Sequence, residues 1–321
     1  MTTFRAPWWL PGGHLQTIYA SLFAPKPRVV YRRERWELAD GDFLDLDWVD
    51  GAADKPLLVL FHGLEGSSQG HYALALMDAL RQKGWSGVAV NFRGCSGTPN
   101  RLPRAYHSGD SAEIKMVLNY LKARGGEQTL YATGISLGAN ALLKWLGESG
   151  LEAQQLLAGA AAISAPVDLA RAGARLDQGF NRYSYTRHFL HSLRRKTLYK
   201  ITAHHLPIAA HDLRSAKTLY AFDDLYTAPM HGYRNADDYW QRASSKPWLN
   251  SIAVPTLIVH AQNDPFLPAS TYLEETQLSP SITLDLPRDG GHVGFVSGPF
   301  PGKLNWLPNR VLNFFQQNQN S

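Results

Sequence analysis

With 321 residues, 44% hydrophobic and 18% charged, the chain has a globular composition that excludes intrinsic disorder, and its length fits one α/β-sized domain, with or without an insertion. The formal charge of +5 is mild; it tolerates anionic ligands without calling for nucleic acid. The surplus is local, because residues 167–250 hold thirteen Lys/Arg against seven Asp.

The first forty residues mix Trp8, Trp9 and several prolines before a strand near Val29–Leu38. Ala39-Asp40-Gly41-Asp42 reads as a turn, after which Leu44, Leu46 and Trp48 alternate with Asp45 and Asp47. That period of two predicts a half-buried strand, so the sheet should begin with an antiparallel hairpin. The continuous apolar run Leu57–Phe61 instead predicts a strand covered on both faces.

Ala73, Leu76, Met77 and Leu80 follow at helical spacing, and Val88–Val90 is the next strand. Asp110 with Glu113 resembles a capping box opening a helix whose apolar face holds Ile114, Val117, Leu118 and Leu121. Leu130–Thr133 reads as a strand, Leu137–Trp145 as a helix and Ala158–Ile163 as a strand. The alternation predicts a mostly parallel sheet wrapped by helices.

The rhythm stops at Val167 and resumes at Val254–Val259 and Ile282–Leu286, with a last helix near Leu304–Phe315. We therefore expect residues 1–166 and 251–321 to form the core and 167–250 a helical lid over the sheet's carboxyl edge.

Gly134-Ile135-Ser136-Leu137-Gly138 matches G-x-S-x-G, and so does Gly66-Ser67-Ser68-Gln69-Gly70. Context separates the two. A nucleophile elbow needs a strand before it and a helix after it, so that a sharp turn lifts the serine above the sheet. Ser136 has both neighbours, whereas Ser68 lies in a loop several residues past its strand.

A serine hydroxyl needs a base to take its proton and a third group to orient that base. In this architecture the acid precedes the histidine along the chain. Asp264 follows the strand Val254–Val259, and His292, set among glycines, follows Ile282–Leu286. The predicted triad is Ser136, Asp264 and His292. The oxyanion would be held by the N–H of Leu137, next to the nucleophile, and by that of Leu64 in His62-Gly63-Leu64-Glu65-Gly66.

Five motifs together resemble the YheT-like branch of the α/β-hydrolases: Gly13-His14-Leu15-Gln16-Thr17, the His62–Ser67 loop, Asn91-Phe92-Arg93-Gly94-Cys95-Ser96-Gly97, Tyr106-His107-Ser108-Gly109 and Gly291-His292-Val293-Gly294-Phe295. Phe222-Asp223-Asp224-Leu225 with His231-Gly232-Tyr233 fits the same branch, and the likeness spans nearly the whole chain. It implies the α/β-hydrolase fold and a serine carboxylesterase acting on acyl esters or thioesters. Acyl-CoA:alcohol acyl transfer and phospholipase chemistry are alternatives on the same residues. A ligand-binding protein on a hydrolase scaffold is the non-enzymatic one.

The expected pocket residues are His62, Tyr106, His107, Phe180, Tyr183 and Phe189, with Tyr185 also in the apolar channel. His14 is expected to be structural, Cys95 a small packed residue, and Arg194-Arg195-Lys196 a solvated helix face or, alternatively, a phosphate-facing one. His204-His205 lacks zinc-site spacing, so neither metal nor cofactor is expected. A single cysteine allows no intramolecular disulfide. Residues 1–10 show no signal-peptide pattern, and the apolar runs are shorter than a membrane span. The expectation is a cytoplasmic enzyme of a small acyl substrate, without nucleic acid or stable membrane insertion.

Overall fold

The Ala39–Asp42 turn joins β1 (Arg32–Glu37) to β2 (Phe43–Val49) in the computed structural model, which describes residues 4–273 and 278–319. Strands β3 (Leu57–Phe61), β4 (Ser86–Asn91), β5 (Leu130–Ile135), β6 (Gly159–Ile163), β7 (Thr256–Val259) and β8 (Ile282–Asp285) follow. They form one sheet in the order β1-β2-β4-β3-β5-β6-β7-β8. β1 and β2 are antiparallel, as are β2 and β4, and every other neighbouring pair is parallel. This is the α/β-hydrolase fold.

The uninterrupted apolar strands are buried on both faces. In β3, Leu58 and Leu60 share one core with Met77 and Leu80 of the helix after it and with Phe315 of the C-terminal helix (Trp306–Gln319). Leu57, Val59 and Phe61 point the other way, into a core with Ile114, Leu118 and Leu142.

Two local outcomes differ from the pattern in the sequence. β2 is not half-solvated: Asp45 and Asp47 are buried, because Arg35 and Arg33, their cross-strand partners, fold over them in two-pronged ion pairs at 2.7–2.9 Å. Paired charges can thus occupy positions that alternation assigns to solvent. The Asp110 carboxylate does cap the helix Ser111–Gly125 by accepting the Glu113 N–H at 3.2 Å. Glu113, however, takes the Arg93 Nε–H at 2.6 Å, so only half of a capping box forms.

A helix that the composition of the first forty residues did not announce, α1 (Gly13–Leu22), lies against the loops after β7 and β8. Residues 167–250 form a layer of short helices and one long stretch, 179–204, containing a π-helical turn at Arg182–Thr186. This layer has its own apolar cluster, including Leu169, Leu190, Leu213, Phe222 and Trp240, and reaches the sheet's loops through Phe266.

Candidate active site

β5 ends at Ile135 and a helix begins at Leu137, leaving Ser136 alone in the turn at φ 51°, ψ −115°. This is a left-handed backbone that side chains rarely tolerate, and it holds the hydroxyl above the sheet. The flanking residues have no freedom to be larger. A Cβ on Gly134 would meet Ala139 Cα at 2.5 Å, and one on Gly138 would meet the Phe61 carbonyl oxygen at 2.5 Å. The other pentapeptide match ends differently: Ser68 is buried and donates its hydroxyl to Asp47 at 2.5 Å.

His292 Nε2 lies 2.9 Å from Ser136 Oγ, and His292 Nδ1 lies 2.9 Å from Asp264 Oδ2. With Nδ1–H donating to the carboxylate, Nε2 presents its lone pair to the serine hydroxyl. The Asp264 side chain is fully buried. Burial opposes its charge, but the neighbouring His292 imidazole and hydrogen bonds, one of them from the Phe266 N–H at 2.8 Å, hold its carboxyl below the usual range. His260 lies on the acid's other side, with Nδ1 4.0 Å from Asp264 Oδ2, and donates Nε2–H to the Leu267 carbonyl at 2.8 Å. Burial disfavours its protonation.

The loop after β3 passes so close that a methyl on Gly63 would stand 3.1 Å from Ser136 Cβ. Among the described residues, no acceptor takes the N–H of Leu64 or of Leu137. Both residues line a cavity of about 690 Å³ that also contains Ser136 and His292. The helical layer supplies its apolar wall, with Leu169, Leu176, Phe189, Leu193, Phe222 and Trp240.

Of the other expected pocket residues, Tyr106 and His107 also line this cavity. His62, Phe180 and Tyr183 do not, and each expectation is corrected for a physical reason. His62 is buried beneath the loop, donating Nδ1–H to Gly63 O at 2.7 Å and accepting the Phe92 N–H on Nε2 at 3.0 Å; burial pushes it down to about 4. Phe180 and Tyr183 occupy the outward side of their helical turns, exposed at 55% and 75%. Tyr185 packs between His14 and Phe266, so it meets the cavity only through Phe266.

The basic run is not a simple solvated face. Lys196 reaches into the cavity, donates to Glu65 at 2.9 Å and lies 3.5 Å from the sulfur of Cys95, whose thiol burial pushes up to about 11. Glu65, at φ 54°, also accepts from Ser192 and Tyr106, so the loop carrying Leu64 is tied to the long helical stretch. Lys200 donates to the carbonyls of Leu102, Pro103 and Arg104, and burial pushes it down to about 8. Arg93 and Arg195 complete the cationic part of the lining.

What residue-by-residue reading missed is the support from α1. Thr17 Oγ1 accepts the His292 N–H at 2.8 Å. Gln16 Oε1 accepts from Asn263 Nδ2 at 3.0 Å and from the Gly290 N–H at 2.8 Å, while Asn263 Oδ1 accepts the Gly291 N–H at 2.9 Å. One buried side of α1 therefore fixes both the acid's loop and the histidine's. The Gly13–Thr17 motif was the available signal, but nothing local in it names its partners 250 residues away.

The sequence pattern of the alpha/beta hydrolase fold family matches residues 56–299, and the chain belongs to that family. Among curated proteins it is 40% identical to the Escherichia coli K12 protein named "Putative esterase YheT", over 93% of this chain and 88% of that one. It is 28% identical to human "Phospholipase ABHD3", over 98% of this chain and 78% of that one. Among solved structures, the Pyrococcus furiosus esterase Pf2001 superposes with a TM-score of 0.58 at 18% identity, covering 91% of this chain and 99% of that one.

Proposed function

We propose that the ester-hydrolysing chemistry of this family member runs through Ser136, His292 and Asp264. The carrying observation is the hydrogen-bonded series Asp264–His292–Ser136, with both links at 2.9 Å, at one wall of a largely apolar cavity. Ser136 Oγ attacks the acyl carbon as its proton passes to His292 Nε2, and Asp264 stabilises the resulting imidazolium. The oxyanion accepts the two free N–H groups of Leu64 and Leu137, whose charge-directed bonds strengthen as the tetrahedral intermediate forms. His292 then protonates the departing alkoxide or thiolate. Water, deprotonated by His292, attacks the acyl-enzyme to release the carboxylic acid and restore Ser136.

The same reading makes 167–250 a lid. Its apolar wall suits an acyl chain, because excluding water there strengthens the polar interactions at the reacting centre. The relatives named esterase and phospholipase support an acyl ester as substrate.

The test is a panel of p-nitrophenyl esters and acyl-CoA thioesters of graded chain length, with and without ethanol. Ser136→Ala should fold normally and lose activity by several orders of magnitude, whereas Ser68→Ala should retain the hydrolytic mechanism. A serine-directed phosphonate should label Ser136. Full activity in Ser136→Ala, or labelling of Ser68 instead, overturns the assignment; an ethyl ester accumulating faster than free acid replaces hydrolysis by acyl transfer.

A further inference from the structure

Helix α1 is inside out. Its buried residues are Gln16 and Thr17, engaged with the loops of Asp264 and His292, and Ala20, packed against Leu10, Ala24 and Val296. Its apolar residues Leu15, Ile18, Tyr19 and Leu22 recur at i, i+3, i+4 and i+7, the spacing of one helix face. Leu15 and Leu22 face outward, 54% and 67% exposed, Ile18 is half-buried, and Tyr19 lies at the border, half-buried against the small cluster of Leu10, Ala20, Ala24 and Val296. An amphipathic helix ordinarily presents the opposite arrangement to its own core.

The apolar face continues beyond the helix. Phe23 is 66% exposed, Phe300 73% and Trp8 92%. Trp9, next to Trp8 in the chain, joins Tyr19 to Phe300, with its ring 5.1 Å from the one and 5.5 Å from the other, while Tyr19 lies 6.0 Å from Phe23. At the other end of α1, His14 touches Phe180 at 4.8 Å. Contiguous apolar surface of this kind marks a place that something else covers.

Charge indicates what covers it. The segments that touch this face, 4–28 through Trp9 and Tyr19, 178–187 through Phe180 and Tyr185, and 297–305 through Phe300 and Pro301, contain no Asp or Glu. They carry exposed Arg5, Lys26, Arg28, Arg187 and Lys303. A second copy would bring a like-charged face against this one, and Coulomb repulsion opposes that pairing. An anionic lipid surface offers both complements at once: headgroup charge for the cations and a hydrocarbon boundary for Leu22, Phe23 and Trp8.

We propose that the outer face of α1, with Trp8, Phe23 and Phe300, docks this protein on anionic membrane surfaces. The contact is peripheral; among the described residues no helix is long and apolar enough to cross a membrane. It is independent of the catalytic assignment, since binding is read without turnover.

The experiment is co-sedimentation of the full chain with phosphatidylcholine vesicles, with and without phosphatidylglycerol. The protein should pellet with the phosphatidylglycerol vesicles, less with phosphatidylcholine alone, and less again as salt screens the headgroups. The double variant Leu22→Glu/Phe23→Glu should lose at least about tenfold in vesicle partitioning, because two apolar anchors no longer leave water. Its melting midpoint and its activity on a soluble short-chain ester should stay those of the unaltered protein, since neither residue touches the site. Leu151→Glu, at an exposed leucine elsewhere, should pellet normally. Three results overturn the proposal: an unaltered protein that stays in the supernatant with both vesicles, a double variant that pellets undiminished, or a solution dimer that the double variant dissociates. The last would assign the face to a second copy.

Discussion

The sheet's carboxyl edge and the helical layer above it both border Ser136, but they are built by different means. At the edge, backbone approaches backbone so closely that Gly134 and Gly138 leave no room for a Cβ, and the loops are pinned by Thr17, Gln16 and Asn263. In the layer, side chains do the packing: Leu176, Phe189 and Leu193 wall the cavity, and Lys196 and Ser192 tie the long helical stretch to Glu65. Geometry set by backbone contact is intolerant, because a small displacement misaligns reacting groups. Side-chain walls can repack at modest cost. Chemistry should therefore fail with changes at the edge, and selectivity should drift with changes in the layer.

The largest expected effect lies at the edge. Asp264→Asn keeps the shape but removes the carboxylate that fixes the Nδ1–H tautomer, so kcat should fall by about 10⁴. Steady-state hydrolysis of a p-nitrophenyl ester measures it. A loss of less than tenfold would point to His260 or another group as sufficient support for His292.

Thr17→Val is subtler. It preserves volume but leaves the His292 N–H without its acceptor, a loss of about 1–3 kcal/mol for a buried donor. If Thr17 positions the imidazole, kcat should drop by about tenfold with KM little changed. Equal changes in both, or a change only in the melting midpoint, would reduce Thr17 to a structural residue.

A third test asks whether the two regions lose stability together in acid. His62 and His71, beneath the edge, are pushed down to about 4 by burial, and His107 and His231, facing the cavity, to about 3. In the unfolded chain they would protonate near 6.5, so below that pH the unfolded state binds more protons. Their contribution is complete above about 6.5 and lost as pH falls towards 4 and below. Asp223, pushed up to about 6 by burial, acts oppositely, as do Glu113 and Asp177, also pushed up by burial, but His14 and His260, whose protonation burial disfavours too, make six imidazoles against three acids. The urea midpoint should fall between pH 7.5 and 5.5, by about 1 kcal/mol or more of unfolding free energy. A flat midpoint would refute the neutral, buried state of these imidazoles.

The smallest effects belong to the layer. Phe189→Ala should shift the chain-length preference in kcat/KM by roughly tenfold, the scale of a pocket losing a ring's worth of contact. Tyr183→Ser, outside the cavity, should change hydrolysis of soluble esters by less than about twofold. A strong Tyr183 effect would restore the expectation that it faces the acyl channel.

How much of this was legible in the chain depended on how local the physics was. Apolar alternation or continuous apolar runs found β2 to β8 and the helices on both sides of the sheet, because burial on two faces or one writes directly into residue order, whereas the polar edge strand β1 was placed only by the turn that follows it. Ser136 was legible because a strained turn between strand and helix excludes large neighbours. Asp264 and His292 were legible from the places where two strands end, and the structure brings their side chains within 2.9 Å of each other.

Only the tertiary structure decided the rest. Asp45 and Asp47 are buried because arginines from the neighbouring strand cover them, which alternation within one strand does not encode. His62 turned inward because both ring nitrogens found backbone partners, and Phe180 and Tyr183 turned outward because the 179–204 stretch has two sides and its rotation is set by packing against Phe266 and the cavity wall. Helix α1 carries the apolar spacing of a helix, but its inner side is largely polar, bonding the Asp264 and His292 loops through Gln16 and Thr17, and its outer side is apolar. Periodicity reports that a helix has two faces; which face turns inward depends on partners distant in sequence, and that is a property of the folded chain alone.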